Sequence, residues 1–262
     1  MAMLPNPLPH LTDDPTGKSL GLDLPPGRLF GPASEPLLWY ADDPAGPEDW
    51  ARLSPARRAA GLHPVLLGGI RELADWGLTL DDTSYPGDHD AEDVLAGLWE
   101  TYAEDELGYE SEEWPGLALA PALQEDPDRK AAEIAGTATV EGPLKGARLA
   151  LVPARRSADI PAAIGWTGPL NHEEDVARLC AVLRSWEDRF GIRVVGLTSD
   201  HLTLSVAAPP TNREEALILA AEHFAFCPDA IETDLYEHAN SLMSTGSWAF
   251  RWNRGTDGAA NR

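Results

Sequence analysis

Residues 171–207 read NHEEDVARLCAVLRSWEDRFGIRVVGLTSDHLTLSVA, and two periods meet in this stretch. In the first half Val176, Leu179, Cys180, Leu183, Trp186 and Phe190 recur every three or four residues, the spacing that gathers side chains on one face of a helix. Asn171 with Glu174 three positions on has the form of a capping box, and Gly191 supplies a left-handed stop. The spacing predicts a helix from about 172 to 190. Past Gly191 the period falls to two. Arg193–Thr198 and Leu202–Ala207 read as strands around a turn at Ser199-Asp200, which is a hairpin.

Downstream, Pro209-Pro210 stops the second strand. Thr211 with Glu214 opens a helix to about Phe226, which Pro228 ends. Asp229 is placed to cap a further helix, with Leu235, Tyr236, Ala239, Leu242 and Met243 facing inward. Ser247–Trp252 reads as a last strand, and residues 255–262 as a disordered tail. Upstream, Arg148–Val152 reads as the first strand of this unit. The order is strand, helix, strand, strand, helix, helix, strand. It predicts an α+β fold, with an antiparallel sheet, helices packed on one face, and a split βαβ, ferredoxin-like arrangement. Such a fold carries many functions and decides none.

Four words in this region recur in one order: Arg184 to Gly191, Leu204 to Pro210, Ala221 to Asp229 and Trp248 to Asn253. Together, over residues 146–254, they resemble the bacterial domain-of-unknown-function family 4253 (DUF4253). The resemblance implies a domain and no activity. Two departures bear on any site the family has. The family word usually continues with Asn and Gln after the Asp, where this chain has Ala230, Ile231, Glu232 and Thr233. The last word often has a third aromatic and a terminal Asp, where this chain has Arg251 and Asn253.

The front half is of different composition. Residues 1–36, with Pro25-Pro26-Gly27 and Gly31-Pro32, read as an irregular arm, and residues 37–128 as an acidic α+β region. Residues 129–145 read as a connector holding a short helix. Leu37–Tyr40 and Val65–Leu67 read as short strands, and residues 48–61 as a helix broken near Pro55. Asp88–Asp105 is a helix with Val94, Leu95, Leu98, Trp99 and Tyr102 on one face and acids on the other. Residues 106–128 read as a mobile connection.

The formal net charge is −23. Residues 1–130 hold 26 carboxylates against 8 Lys or Arg, whereas residues 131–262 hold 17 against 12. Residues 72–128 contain 18 carboxylates and no Lys or Arg. Such a field repels phosphate, which argues against nucleic acid, and attracts a basic protein or a cation. Acidic surfaces also simply keep proteins soluble. Two cysteines, Cys180 and Cys227, make no disulfide framework and suit a reducing compartment. The first ten residues lack the basic start of a secretory signal, and no apolar run reaches the roughly 20 residues that span a bilayer. The expectation is a cytoplasmic protein that does not meet the membrane.

No phosphate loop, dinucleotide fingerprint, nucleophile elbow or zinc-ligand spacing occurs, and no cofactor is expected. Two clusters remain. His223 and Cys227 share a helix face with Asp229 just beyond; a thiolate beside an imidazole is a nucleophile or a soft metal site. The competing reading is core packing, an inert thiol and a helix-capping Asp229. Asp88, His89 and Asp90, in a Ser84–Asp90 word also found upstream of this domain in relatives from high-GC bacteria, offer oxygen and imidazole ligands. Their competing reading is a Pro-Gly turn and an acidic first helical turn.

Three functions follow as expectations. An acidic module, immunity- or antitoxin-like, would bind a basic protein through Asp90, Asp93, Glu100 and Glu104. A hydrolytic enzyme would use one of the two clusters. A scaffold or regulatory protein would use neither.

Overall fold

The computed structural model describes residues 6–69, 73, 76, 78, 83–107, 113–231 and 234–252, with side chains for all of these but 103–107. The expected tail at 255–262, Asn253, Glu232 and Thr233 lie outside the described residues.

Seven described strands form one mixed sheet: β1 (Gly27–Phe30), β2 (Leu38–Ala41), β3 (Leu62–Leu67), β4 (Arg148–Pro153), β5 (Arg193–Leu197), β6 (His201–Ser205) and β7 (Ser247–Arg251). Their order is β1-β2-β4-β3-β5-β6-β7. β3 is antiparallel to β4, Leu62 facing Pro153 and Leu67 facing Arg148. Its other edge is parallel to β5, Leu66 facing Gly196. The hairpin β5–β6 and the pair β6–β7 are antiparallel.

This topology corrects the split βαβ expectation. In that arrangement the first and second strands of the C-terminal unit run parallel on either side of a crossover helix. Here β4 and β5 run in opposite directions, and β3, from residues upstream of 146, lies between them. The sheet is therefore mixed rather than antiparallel. All six residues of β3 are buried, as a strand covered on both faces requires.

Helices also cover both faces, not one. The alternation of side chains along each strand divides the core in two. Leu38, Val65, Ala150, Val152, Val194 and Leu204 belong to one cluster. Trp39, Leu66, Leu149, Leu151 and Val195 belong to the other. The first face is covered by α3 (Ala91–Leu107), α5 (Ile160–Ala163), α6 (Val176–Phe190), α7 (Arg213–Phe226) and α8 (Leu235–Leu242). The second is covered by α1 (Asp49–Leu53), α2 (Ala56–Ala60) and α4 (Pro127–Ala138), with the arm residues Leu8, Leu11, Leu22 and Leu24 packed beside them.

The helix starts differ from the sequence reading by a few residues. Asp175, not Asn171, caps α6, its carboxylate accepting from Ala177 N–H. Asn212 caps α7 and Asp234 caps α8 in the same way. Each competing residue lay within four or five positions of another Asp or Asn, so local pattern could not choose among them. Pro55 separates α1 from α2 as expected. Gly191, with φ 62°, ends α6 in the left-handed region.

Candidate functional site

Trp186, on α6, sits at the centre of the first face with no exposed surface. Rings of His223, Phe226, Trp248 and Phe250 lie 4.8–5.5 Å from it. The alternating Trp248, Phe250 and Trp252 of the last strand all point into this core, and Arg251 points out.

The structure separates the members of the His223/Cys227 cluster into different contacts. His223 Nδ1 lies 3.1 Å from Nε2 of His238 on α8. Cys227 Sγ donates to the carbonyl of Arg251, 3.3 Å away. Burial raises the Cys227 thiol above its ordinary range and holds His223 well below, the neighbouring His238 and Arg189 adding to the latter. At neutral pH the sulfur is a protonated thiol and the imidazole is neutral. Neither state suits a nucleophile, which needs the thiolate. Asp229 is exposed in a short 3-10 turn, Pro228–Ala230, where the sequence reading had it cap α8.

Beside His223 stands a group that the sequence reading missed. Glu222 is 0% exposed. Its carboxylate takes both Nη atoms of Arg189, at 2.8 and 2.6 Å, the Trp186 indole N–H at 2.7 Å and the Ala118 N–H at 2.8 Å. Arg189 Nη1 also donates to the Ala118 carbonyl. One buried ion pair thus holds both polar groups of one residue in the extended segment 113–126, and Glu215 accepts from the next N–H, that of Leu119. A single Glu inside the apolar run Ala220–Phe226 was the available signal.

The turn before α3 places the second cluster. Asp90 caps α3: its Oδ1 accepts from the N–H groups of Glu92 and Asp93. His89 Nε2 and Asp175 Oδ2 each lie 2.5 Å from Ser84 Oγ. The hydroxyl has one proton, and the carboxylate can only accept. Ser84 therefore donates to Asp175, and His89 donates to Ser84. In this arrangement the trio clips the turn to the start of α6. Asp88 is exposed. Among the described residues no three His, Cys, Asp or Glu side chains form a group that could hold a metal ion.

Between this turn, the start of α3 and the middle of α6 lies a cleft of about 390 Å³. Asp90 and Glu92 line it from α3, Arg184 and Ser185 from α6, and Leu117 from the extended segment.

Several acids of the front half are paired: Asp42 with Arg28, Asp49 with Arg52, Asp128 with Arg57 and Arg193, and Glu125 with Arg129 and Lys130. Along α3, Asp90, Glu92, Asp93 and Glu100 are exposed, and none has an ion pair among the described residues. The Glu104 side chain lies outside the described residues.

The class is thus an α+β domain with helices on both faces of a mixed sheet. Residues 148–253 match the model of DUF4253, a domain of unknown function. The match begins at β4 and ends just past β7, so β3 lies outside it. No curated protein and no solved structure gives a significant match. Among the described residues no helix is long and apolar enough to cross a membrane.

Proposed function

We propose that this protein is a cytoplasmic, non-catalytic binding module, immunity- or antitoxin-like, whose acidic α3 face docks a basic protein. One observation carries the reading. Arginines and a lysine pair with Glu125 and Asp128, whereas Glu92, Asp93 and Glu100 of α3 have no ion pair among the described residues. Val94, Leu95, Leu98 and Trp99 anchor the opposite side of α3 in the core, so Asp93 and Glu100 stand on a fixed support. A rigid row of like charge raises the encounter rate with a cationic surface and discourages phosphate.

The hydrolytic reading has less support, because His223 and Cys227 are buried in states unsuited to attack. The test is retention of cytoplasmic proteins on immobilised wild type and on Asp93→Lys/Glu100→Lys/Glu104→Lys. Basic proteins held at low salt by the wild type alone, and released at high salt, support the reading. The same proteins held equally by both would reject it.

A further inference from the structure

The cleft beside α3 has walls of opposite chemistry. On one side stand Asp90 and Glu92, both exposed. Asp90 uses Oδ1 to cap the helix, and Glu92 has no ion pair among the described residues. On the other side stand Arg184 and Ser185, and beside them Asp188, which is held by Arg156 at 2.5 Å, and Arg189, which is held by Glu222. Arg184 grips Asp159 through Nε and Nη2, at 2.5 and 2.9 Å, and reaches the Tyr85 hydroxyl through Nη2. Its Nη1 lies against Gly87, 2.8 Å from where a Cβ would stand, and the Tyr85 ring comes closer still to the same point, so only a glycine fits there. Ser185 Oγ accepts from Arg189 Nε, which leaves its own proton to donate. The guanidinium is fixed by Asp159 and by stacking on Tyr85, 4.9 Å from the ring centre, so its remaining donors have a set direction.

Carboxylates without an ion pair among the described residues on one wall, and the remaining donors of Arg184 and Ser185 on the other, suit a ligand with one positive and one negative group. The volume lies at the small end of small-molecule sites, roughly 300–1,000 Å³. We propose that this cleft binds a small zwitterion, a free α-amino acid, its ammonium toward Asp90 and Glu92 and its carboxylate toward Arg184 Nη1 and Ser185 Oγ. Leu117 is the apolar surface available to the side chain. This site is independent of protein docking on α3: a ligand of that size does not need a partner.

The full chain, labelled with ¹⁵N, is titrated with glycine, L-leucine, L-glutamate and L-lysine while the Gly87 and Ser185 amide signals are followed. At least one should give saturable shifts. The N-acetyl derivative of the best binder keeps only the negative group, and its amide keeps only the positive one. Each should bind about 10-fold more weakly or worse, the effect of losing roughly one charged contact. Glu92→Gln should weaken the amino acid and its amide but not the N-acetyl form. Ser185→Ala should weaken the amino acid and the N-acetyl form but not the amide. Both are partly or fully exposed positions, and an unchanged spectrum elsewhere verifies the fold. No saturable shift from any of the four amino acids overturns the proposal. So does an N-acetyl or amide form that binds as tightly as its parent, which would mark a plain anion or cation site.

Discussion

Arg189 of α6 and Glu222 of α7 form a bidentate pair in the core, at 2.8 and 2.6 Å, and between them they hold the N–H and the carbonyl of Ala118. The pair joins three parts of the chain that are far apart in sequence. Removing one partner leaves a buried charge alone, and that is more costly than the pair is favourable. Arg189→Met should lower stability by about 3–5 kcal/mol. Urea unfolding followed by tryptophan fluorescence measures this. A loss under about 1 kcal/mol would mean that solvent reaches Glu222.

The position of β3 gives a second expectation. Residues 148–253 expressed alone lack the strand between β4 and β5. They should show no cooperative thermal transition, whereas the full chain should show one. A sharp transition in the short piece would mean that β4 and β5 close the sheet without β3.

That strand also shows where the sequence stops being informative. β4 to β7 and α6 to α8 were legible because each carries a clean period and a punctuating Gly, Pro or capping residue. What the pattern could not show was that the place beside β4 is taken by residues 62–67. Strand order is set by contacts remote in sequence, and alternation within a strand does not name its neighbour. β1 was hidden for a related reason: Gly27–Phe30 lies in a Pro/Gly-rich arm, and its apolar residues are only half covered. At the candidate sites, the capping role of Asp90 was readable from its place before a helix. The His223–His238 contact was not, because it joins two helices 15 positions apart.

Acid should destabilise the fold through histidines held neutral. Burial lowers His63 to about 4, with Arg57 and Arg193 adding to the effect, and lowers His172, His223 and His238 as well. A depressed folded-state value means that the unfolded chain binds more protons below about pH 6.5. Stability is then full above that pH and falls as pH drops through it, down to about 4 for His63. From pH 7.5 to pH 5 His63 alone should account for about 2 kcal/mol. Urea midpoints at the two pH values measure the total, and His63→Leu should flatten the slope. An unchanged slope in that variant would place the proton uptake elsewhere.

Cys180 and Cys227 are both buried, with thiols raised above their ordinary range. A disulfide reagent should label neither in the folded chain at neutral pH, and both after unfolding in urea. Rapid labelling of Cys227 in the native state would restore the nucleophile reading.

The acidic face is tested most directly by association kinetics. Asp90 should be left intact, since it caps α3 and its reversal would cost about 1 kcal/mol of helix stability. The measurement is the stopped-flow association rate of a retained basic partner with wild type and with Asp93→Lys/Glu100→Lys/Glu104→Lys, across a series of salt concentrations. The wild-type rate should fall steeply as salt rises, and the variant should associate slowly at every salt concentration. Equal rates and equal salt slopes for the two proteins would contradict the account and leave the α3 carboxylates as a solvating surface.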